Sequence, residues 1–205
     1  MKPVLALYLA ALLLASATAA LAARKQHAGT YTIPLPAQAD YSSMGWLVGQ
    51  WSGTTVDRGR QGNVLLSFSY ALGRHFLLLR EEVSLAAVAH APAMQEGMMG
   101  ILSPGDAAGV YHVTLYSSHG FVMNYVVTAK PGEIDLNPAG GPLTPSGWLF
   151  RRVIRRTAPG QCTETVDAAP PGEGFFRFYT ASLSQVIPGA NAASAPAAKS
   201  PPTRR

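Results

Sequence analysis

Gly49-Gln50-Trp51-Ser52-Gly53 stands where the chain changes character. Upstream, residues 24–39 mix Ala, Gly, Pro and polar residues without any period. Downstream, apolar residues recur with a period of two, the mark of half-buried strands. The phrase itself fits the start of a first strand. Gly49 permits a tight turn from a preceding helix. Trp51 supplies a large apolar body with one donor that needs a partner, suited to plugging a barrel end. Gly53 leaves room for a neighbouring strand to approach. These three are expected to be structural residues. Just before them, Asp40 or Ser42 is placed to cap a short helix through Met44, Trp46, Leu47 and Val48. Its apolar face is suited to closing an open barrel end.

Working outward, the alternation predicts strands at about 50–57, 63–72, 75–83, 96–102, 109–117, 120–128, 133–137, 147–156, 161–168 and 174–183. Turn chemistry separates them: Arg60-Gln61-Gly62-Asn63, Gly73-Arg74, Ser103-Pro104-Gly105-Asp106, Ser118-His119-Gly120, Lys130-Pro131-Gly132, Ala158-Pro159-Gly160 and Pro170-Pro171-Gly172. There is no room for a run of long crossover helices, so the connections are expected to be hairpins and the sheet antiparallel. About ten hairpin-linked strands leave two exposed edges unless the sheet closes on itself. The expectation is therefore all-β: an up-and-down, calycin-like barrel of about ten strands with a short N-terminal helix. A Greek-key sandwich is the rival, and the short links favour the meander.

The flanks differ in kind. Lys2 and the apolar run Val4–Ala15, followed by small residues, have the pattern of a secretory signal, with cleavage expected after Ala22 rather than Ala19. The expected organisation is a signal at 1–22, an irregular segment at 23–39, the barrel at 40–185 and an Ala/Pro-rich basic tail at 186–205. Localisation is then periplasmic or extracellular, with no membrane span in the mature chain. Cys162 is the only cysteine, so no internal disulfide can form; its alternating strand makes it a packed core thiol.

The net charge of +5 comes from sixteen basic and eleven acidic residues. All eleven acids lie between Asp40 and Gln185, but six of the bases lie outside that stretch: Lys2, Arg24, Lys25, Lys199, Arg204 and Arg205. The body is near neutral. The run Arg151-Arg152-Val153-Ile154-Arg155-Arg156 splits between the two faces of a strand. Phe150, Arg152 and Ile154 share a side with Trp148; Leu149, Arg151 and Val153 take the other. Such a distribution argues against nucleic acid as a partner.

Taken together, Leu47-Val48-Gly49-Gln50-Trp51-Ser52-Gly53, Phe68 through Leu77, Gly97-Met98-Met99-Gly100, Tyr116-Ser117-Ser118-His119-Gly120 and Trp148-Leu149-Phe150-Arg151-Arg152 resemble the DUF1579-type domains of the lipocalin-like (calycin) superfamily. The barrel is similar to that of nitrobindin-like proteins. The likeness runs over about residues 44–183. The family's middle motif often reads Trp-x-Asp-Ser-x-Gly; here a serine, Ser117, takes the acidic place. The resemblance implies that Trp51 packs near a late-strand arginine, Arg152 or Arg156. It also raises haem binding through a late-strand histidine. The histidines here are His27, His75, His90, His112 and His119, none of them in the last three strands. A ligand from another position, or Met123 or Cys162, would have to serve instead, and no cofactor is expected.

Other chemistry is thin. No His-x-His or His-Glu-x-x-His spacing offers a metal site. Glu81 and Glu82 fall on opposite faces of a strand and make a poor dyad. Ser117 or Ser118 beside His119 or His112 lacks an evident orienting acid. The glycines of Gly97-Met98-Met99-Gly100 suit barrel bends or ligand clearance. The reading is a non-enzymatic, exported barrel that binds a small hydrophobic or amphipathic molecule. Met98, Tyr111, Met123, Tyr125, Phe150, Arg152 and Phe178 are the expected lining. An acidic ligand is favoured if Arg80, Arg152 or Arg177 points inward. The alternative is a structural or protein-interaction barrel of the cell envelope. Because several strands are apolar on both faces, a homodimer through the outer face is a further expectation.

Overall fold

The computed structural model describes residues 36–57, 60–139 and 147–187. The expected signal, nearly all of the irregular N-terminal segment, and the tail from 188 lie outside them. Ten antiparallel strands follow one another in chain order: β1 (Gly49–Asp57), β2 (Arg60–Ala71), β3 (Phe76–Leu85), β4 (Met94–Pro104), β5 (Val110–Ser117), β6 (Val122–Lys130), β7 (Glu133–Pro138), β8 (Leu149–Ala158), β9 (Gln161–Ala169) and β10 (Phe176–Gln185). Each pairs with its sequence neighbours, and β1 pairs with β10 to close the barrel. The closing register runs Trp51 to Gln185, Gly53 to Leu183 and Val56 to Thr180. Closure removes both sheet edges. The up-and-down meander expected from the short links is the observed topology.

The period of two decides what lies inside. Leu77, Leu79, Glu81, Val83 and Leu85 of β3 are all buried, while Arg80 and Glu82 between them face out. Tyr111, Val113 and Leu115 of β5, and Met123, Tyr125 and Val127 of β6, repeat the pattern. Each large apolar side chain taken out of water contributes about 1.5–3 kcal/mol, which makes the inner face the main source of stability.

The strand ends divide into two rims. At the rim where β1 begins, a 3-10 helix (Ser42–Leu47) covers the opening, with Met44 and Leu47 fully buried. It is the short helix expected from the sequence, wound more tightly. Asp40 accepts a hydrogen bond from the Ser42 N–H at 2.9 Å and so holds the turn before the helix. Tyr41 stacks on Tyr111 with ring centroids 5.3 Å apart. Its hydroxyl donates to the carbonyls of His75 and Leu102 at 3.0 and 3.1 Å, pinning the helix to the rim.

The opening phrase acts at this rim. Gly49 has φ +131°, a conformation that other residues rarely adopt. A Cβ on Gly53 would lie 1.8 Å from the Ser182 carbonyl oxygen, so the closing strand pair depends on the missing side chain. Trp51 is 2% exposed, and its Nε1–H donates to the Leu47 carbonyl at 2.8 Å. Trp46 meets it edge-on at 6.2 Å. The indole is therefore satisfied by the capping helix next to it in sequence.

Two local readings also change. The β2–β3 connection occupies Leu72 through His75, with Leu72, Gly73 and Arg74 all at positive φ, rather than Gly73-Arg74 alone. In β10 the strict alternation fails. Arg177 pairs with Asp167 and Tyr179 with Val166, so Phe178 is an extra residue in a bulge.

Candidate functional site

The rim opposite the helix carries a cavity of about 160 Å³. Its walls come from β4, β6, β8, β9 and β10, together with the β5–β6 turn. Of the residues expected to line a site, Met98, Met123, Tyr125, Phe150, Arg152 and Phe178 meet here. Tyr111 does not. It lies at the capped rim, under Tyr41, and donates from its hydroxyl to the Asp40 carbonyl at 2.5 Å. Its position on an inward face was legible; which rim it occupied was not.

The bulge explains how β10 contributes twice. Phe178 and the next residue, Tyr179, both reach the cavity. Their rings lie 5.8 Å apart, and Phe178 meets Phe150 edge-on at 6.1 Å. Phe150 in turn stacks near Trp148 at 6.5 Å. One wall is thus a short series of aromatic faces, and Met98 and Met123 supply adaptable apolar surface beside it.

The inner end of the cavity is polar, and most of its residues were not anticipated as a site. Arg152 is 4% exposed and the carboxylates of Glu81 and Glu164 are fully buried against it. Its Nη1 donates to Glu81 Oε2 and, at 3.2 Å, to Glu164 Oε1. Its Nη2 donates to the Tyr179 hydroxyl at 3.2 Å and lies 3.6 Å from the Met98 sulfur. Tyr179 passes its own proton to Glu81 Oε1 at 2.7 Å. Glu81 is a β3 residue and Arg152 a β8 residue, so this network crosses the lumen rather than running along the sheet. Arg80 and Arg177 lie outside; Arg177 is bound to Asp167 at 2.6 Å, and Arg151 binds the same carboxylate at 2.7 Å.

Burial shapes the ionisation of this group. One cation faces two carboxyls in a medium that penalises charge. Burial, followed by the nearby Glu81, pushes Glu164 up to about 8 against the opposing pull of Arg152. Glu164 therefore keeps its proton at neutral pH. Burial alone would lower Arg152, but Glu81, Tyr179 and Glu164 hold its guanidinium firmly charged. The floor is then a balanced set: one guanidinium, one carboxylate and one neutral carboxylic acid. Glu164 Oε2 is buried without a hydrogen-bond partner among the described residues. The signal for this cluster was present in the sequence, since Glu81 and Glu164 occupy inward positions of otherwise apolar alternations.

At the mouth, Glu96 and His119 join the lining. The Ser117 hydroxyl donates to Glu96 Oε1 at 2.5 Å, and the same oxygen lies 3.6 Å from His119 Nδ1. Serine, acid and imidazole are thus neighbours, but the serine proton is directed to the acid. The His119 backbone N–H donates to the serine oxygen at 3.1 Å. A nucleophilic serine needs the imidazole as its own base, which this wiring does not supply. Ser118 is engaged elsewhere, accepting from the Gly97 N–H at 3.0 Å. Gly100 makes room for Leu115, whose Cδ2 would lie 2.3 Å from an added Cβ; it does not clear space for a ligand.

Of the groups weighed as haem ligands, Met123 and His119 line the cavity, whereas His112 and Cys162 offer no ligand to it. His112 faces out from β5, and no histidine lies in the last three strands. Cys162 is buried, and burial pushes its thiol up to about 12, which leaves it a poor thiolate donor.

No protein-family model and no curated protein matches the chain. Solved structures do. The crystal structure of Rv2717c from M. tuberculosis shares 17% identity, with a TM-score of 0.56, over 71% of this chain and 96% of its own. At that identity the likeness concerns the fold alone. What fold and site define together is a closed ten-stranded antiparallel barrel, capped at one rim and hollow at the other.

Proposed function

We propose that the protein is an exported, non-catalytic barrel that binds one small hydrophobic or amphipathic molecule. The observation that carries this reading is the asymmetry of the lumen. One end is filled and sealed by the helix, while the other keeps a cavity of about 160 Å³ with aromatic and methionine walls. A cavity of about 150 Å³ accommodates benzene in an engineered protein core, so the scale fits a single ring or a short branched chain. The export part of the proposal rests on the apolar run Val4–Ala15. The test is thermal unfolding with and without saturating toluene, in the native protein and in Met123→Trp, whose indole fills the space. Stabilisation of the native protein alone supports the proposal. No stabilisation in either contradicts it.

A second reading has its own observation. Met99, Ile101 and Tyr116 are 42–50% exposed on the outer faces of β4 and β5. Such a surface suits self-association or another protein partner. Light scattering at rising concentration tests the first of these, and a monomer throughout contradicts it.

A further inference from the structure

Binding in this cavity needs a polar match as well as an apolar one. The arginine that sequence reasoning would assign to an acidic ligand is already engaged. Arg152 holds Glu81 and Glu164 with one nitrogen and Tyr179 with the other. An incoming carboxylate would have to share a guanidinium that two carboxyl groups already surround, in a site with little water to screen them. The carboxyl group at the mouth has no lysine or arginine beside it among the described residues. Glu96 has an 18% exposed side chain; Ser117 hydrogen-bonds it and the His119 imidazole stands 3.6 Å away. The cavity that holds both that carboxylate and the floor is also lined by the rings of Phe121, Tyr125, Phe150 and Phe178. Aromatic faces attract cations and repel anions.

We propose that the cavity selects a small amine: a compact aromatic or branched apolar body in the hollow, with its ammonium group at Glu96 and against the aromatic wall. This rests on the reading of the cavity as a binding site and adds the chemical class of its occupant. The protonated Glu164 supports it, because an uncharged acid on the floor adds no anion there to draw the ammonium away from the mouth.

An isosteric series tests both levels. Benzylamine, benzyl alcohol and benzoate have similar bodies and differ in the head group. Calorimetric titration at slightly alkaline pH, with the full chain, should rank benzylamine first and benzoate last. The advantage of the amine over the alcohol should be about fivefold, the scale of a partly exposed ion pair. Glu96→Gln should remove that advantage and leave the alcohol unchanged. If benzyl alcohol binds but benzylamine binds no better, or benzoate binds best, the amine assignment is overturned while the binding cavity stands. If none of the three binds, the cavity reading falls and the amine assignment falls with it.

Discussion

Replacing Arg152 by methionine removes the cation that Glu81 and Glu164 share while preserving much of the side-chain volume. Both carboxyls are buried, and among the described residues no other cation pairs with either of them. Breaking one partner out of a buried ionic cluster costs about 3–5 kcal/mol, because the charge left behind has neither water nor a counter-ion. Glu164 avoids part of this cost by already holding a proton near neutrality. Glu81 is then left buried with only the Tyr179 hydroxyl for support. Domains of this kind are stable by about 5–15 kcal/mol, so the variant should still fold. With a urea dependence of about 2 kcal/mol per molar, its unfolding midpoint should drop by roughly 2 M. Fluorescence of the buried Trp51 follows the transition. One further outcome comes from the same reasoning. The triple variant Arg152→Met, Glu81→Leu, Glu164→Leu should recover most of the loss, since a packed apolar core replaces a buried ion cluster at little cost. A single variant that loses less than about 1 kcal/mol would refute the account, as would a triple variant no more stable than the single.

Glu164 gives the native protein a pH dependence of its own. A carboxyl raised from 4.5 to about 8 favours folding while protonated, so stability should decline as pH rises from about 5 through 8, by up to a few kcal/mol. Urea midpoints across that range check this, and Glu164→Gln should flatten the slope. Gly53→Ala should destabilise by about 3 kcal/mol or more, because its Cβ collides with the Ser182 backbone and wedges β1 from β10; earlier elution on size exclusion or faster proteolysis reports the opened seam. Trp51→Phe leaves the Leu47 carbonyl without its donor and should cost about 1–3 kcal/mol, read by chemical denaturation followed by circular dichroism.

The sequence displays the barrel well because its physics is local. Each inward side chain of β3, β5 and β6 is two residues from the next, and each link carries its own turn residues. Strand limits differ from the expectation by a few residues, mostly where hydrogen bonding runs past the last apolar position, as at Met94 and Pro104 of β4. The site is legible only in part. Its apolar lining follows from the same alternation, which is why six of the seven expected residues meet in the cavity. Tyr111 is misplaced because alternation assigns a face and not a height along the barrel axis. The polar floor is hidden for another reason. Glu81, Arg152, Glu164 and Tyr179 come from four strands, and their meeting depends on the register summed around the closed sheet. The sequence assigns Tyr179 to the face opposite Phe178, an assignment that one unpaired residue in β10 undoes.

That unpaired residue separates two properties that a regular strand would tie together. Phe178 forms part of the aromatic wall and Tyr179 part of the polar floor, yet only Tyr179 is held in the ladder with Val166. Excising Phe178 would restore simple alternation, enlarge the hollow by a ring, and leave the tyrosine in register. The bulge thus serves as a site where length changes of one residue can resize the chamber while its charged base stays in place. Diversification of the contents of such barrels has a route here that bypasses the core.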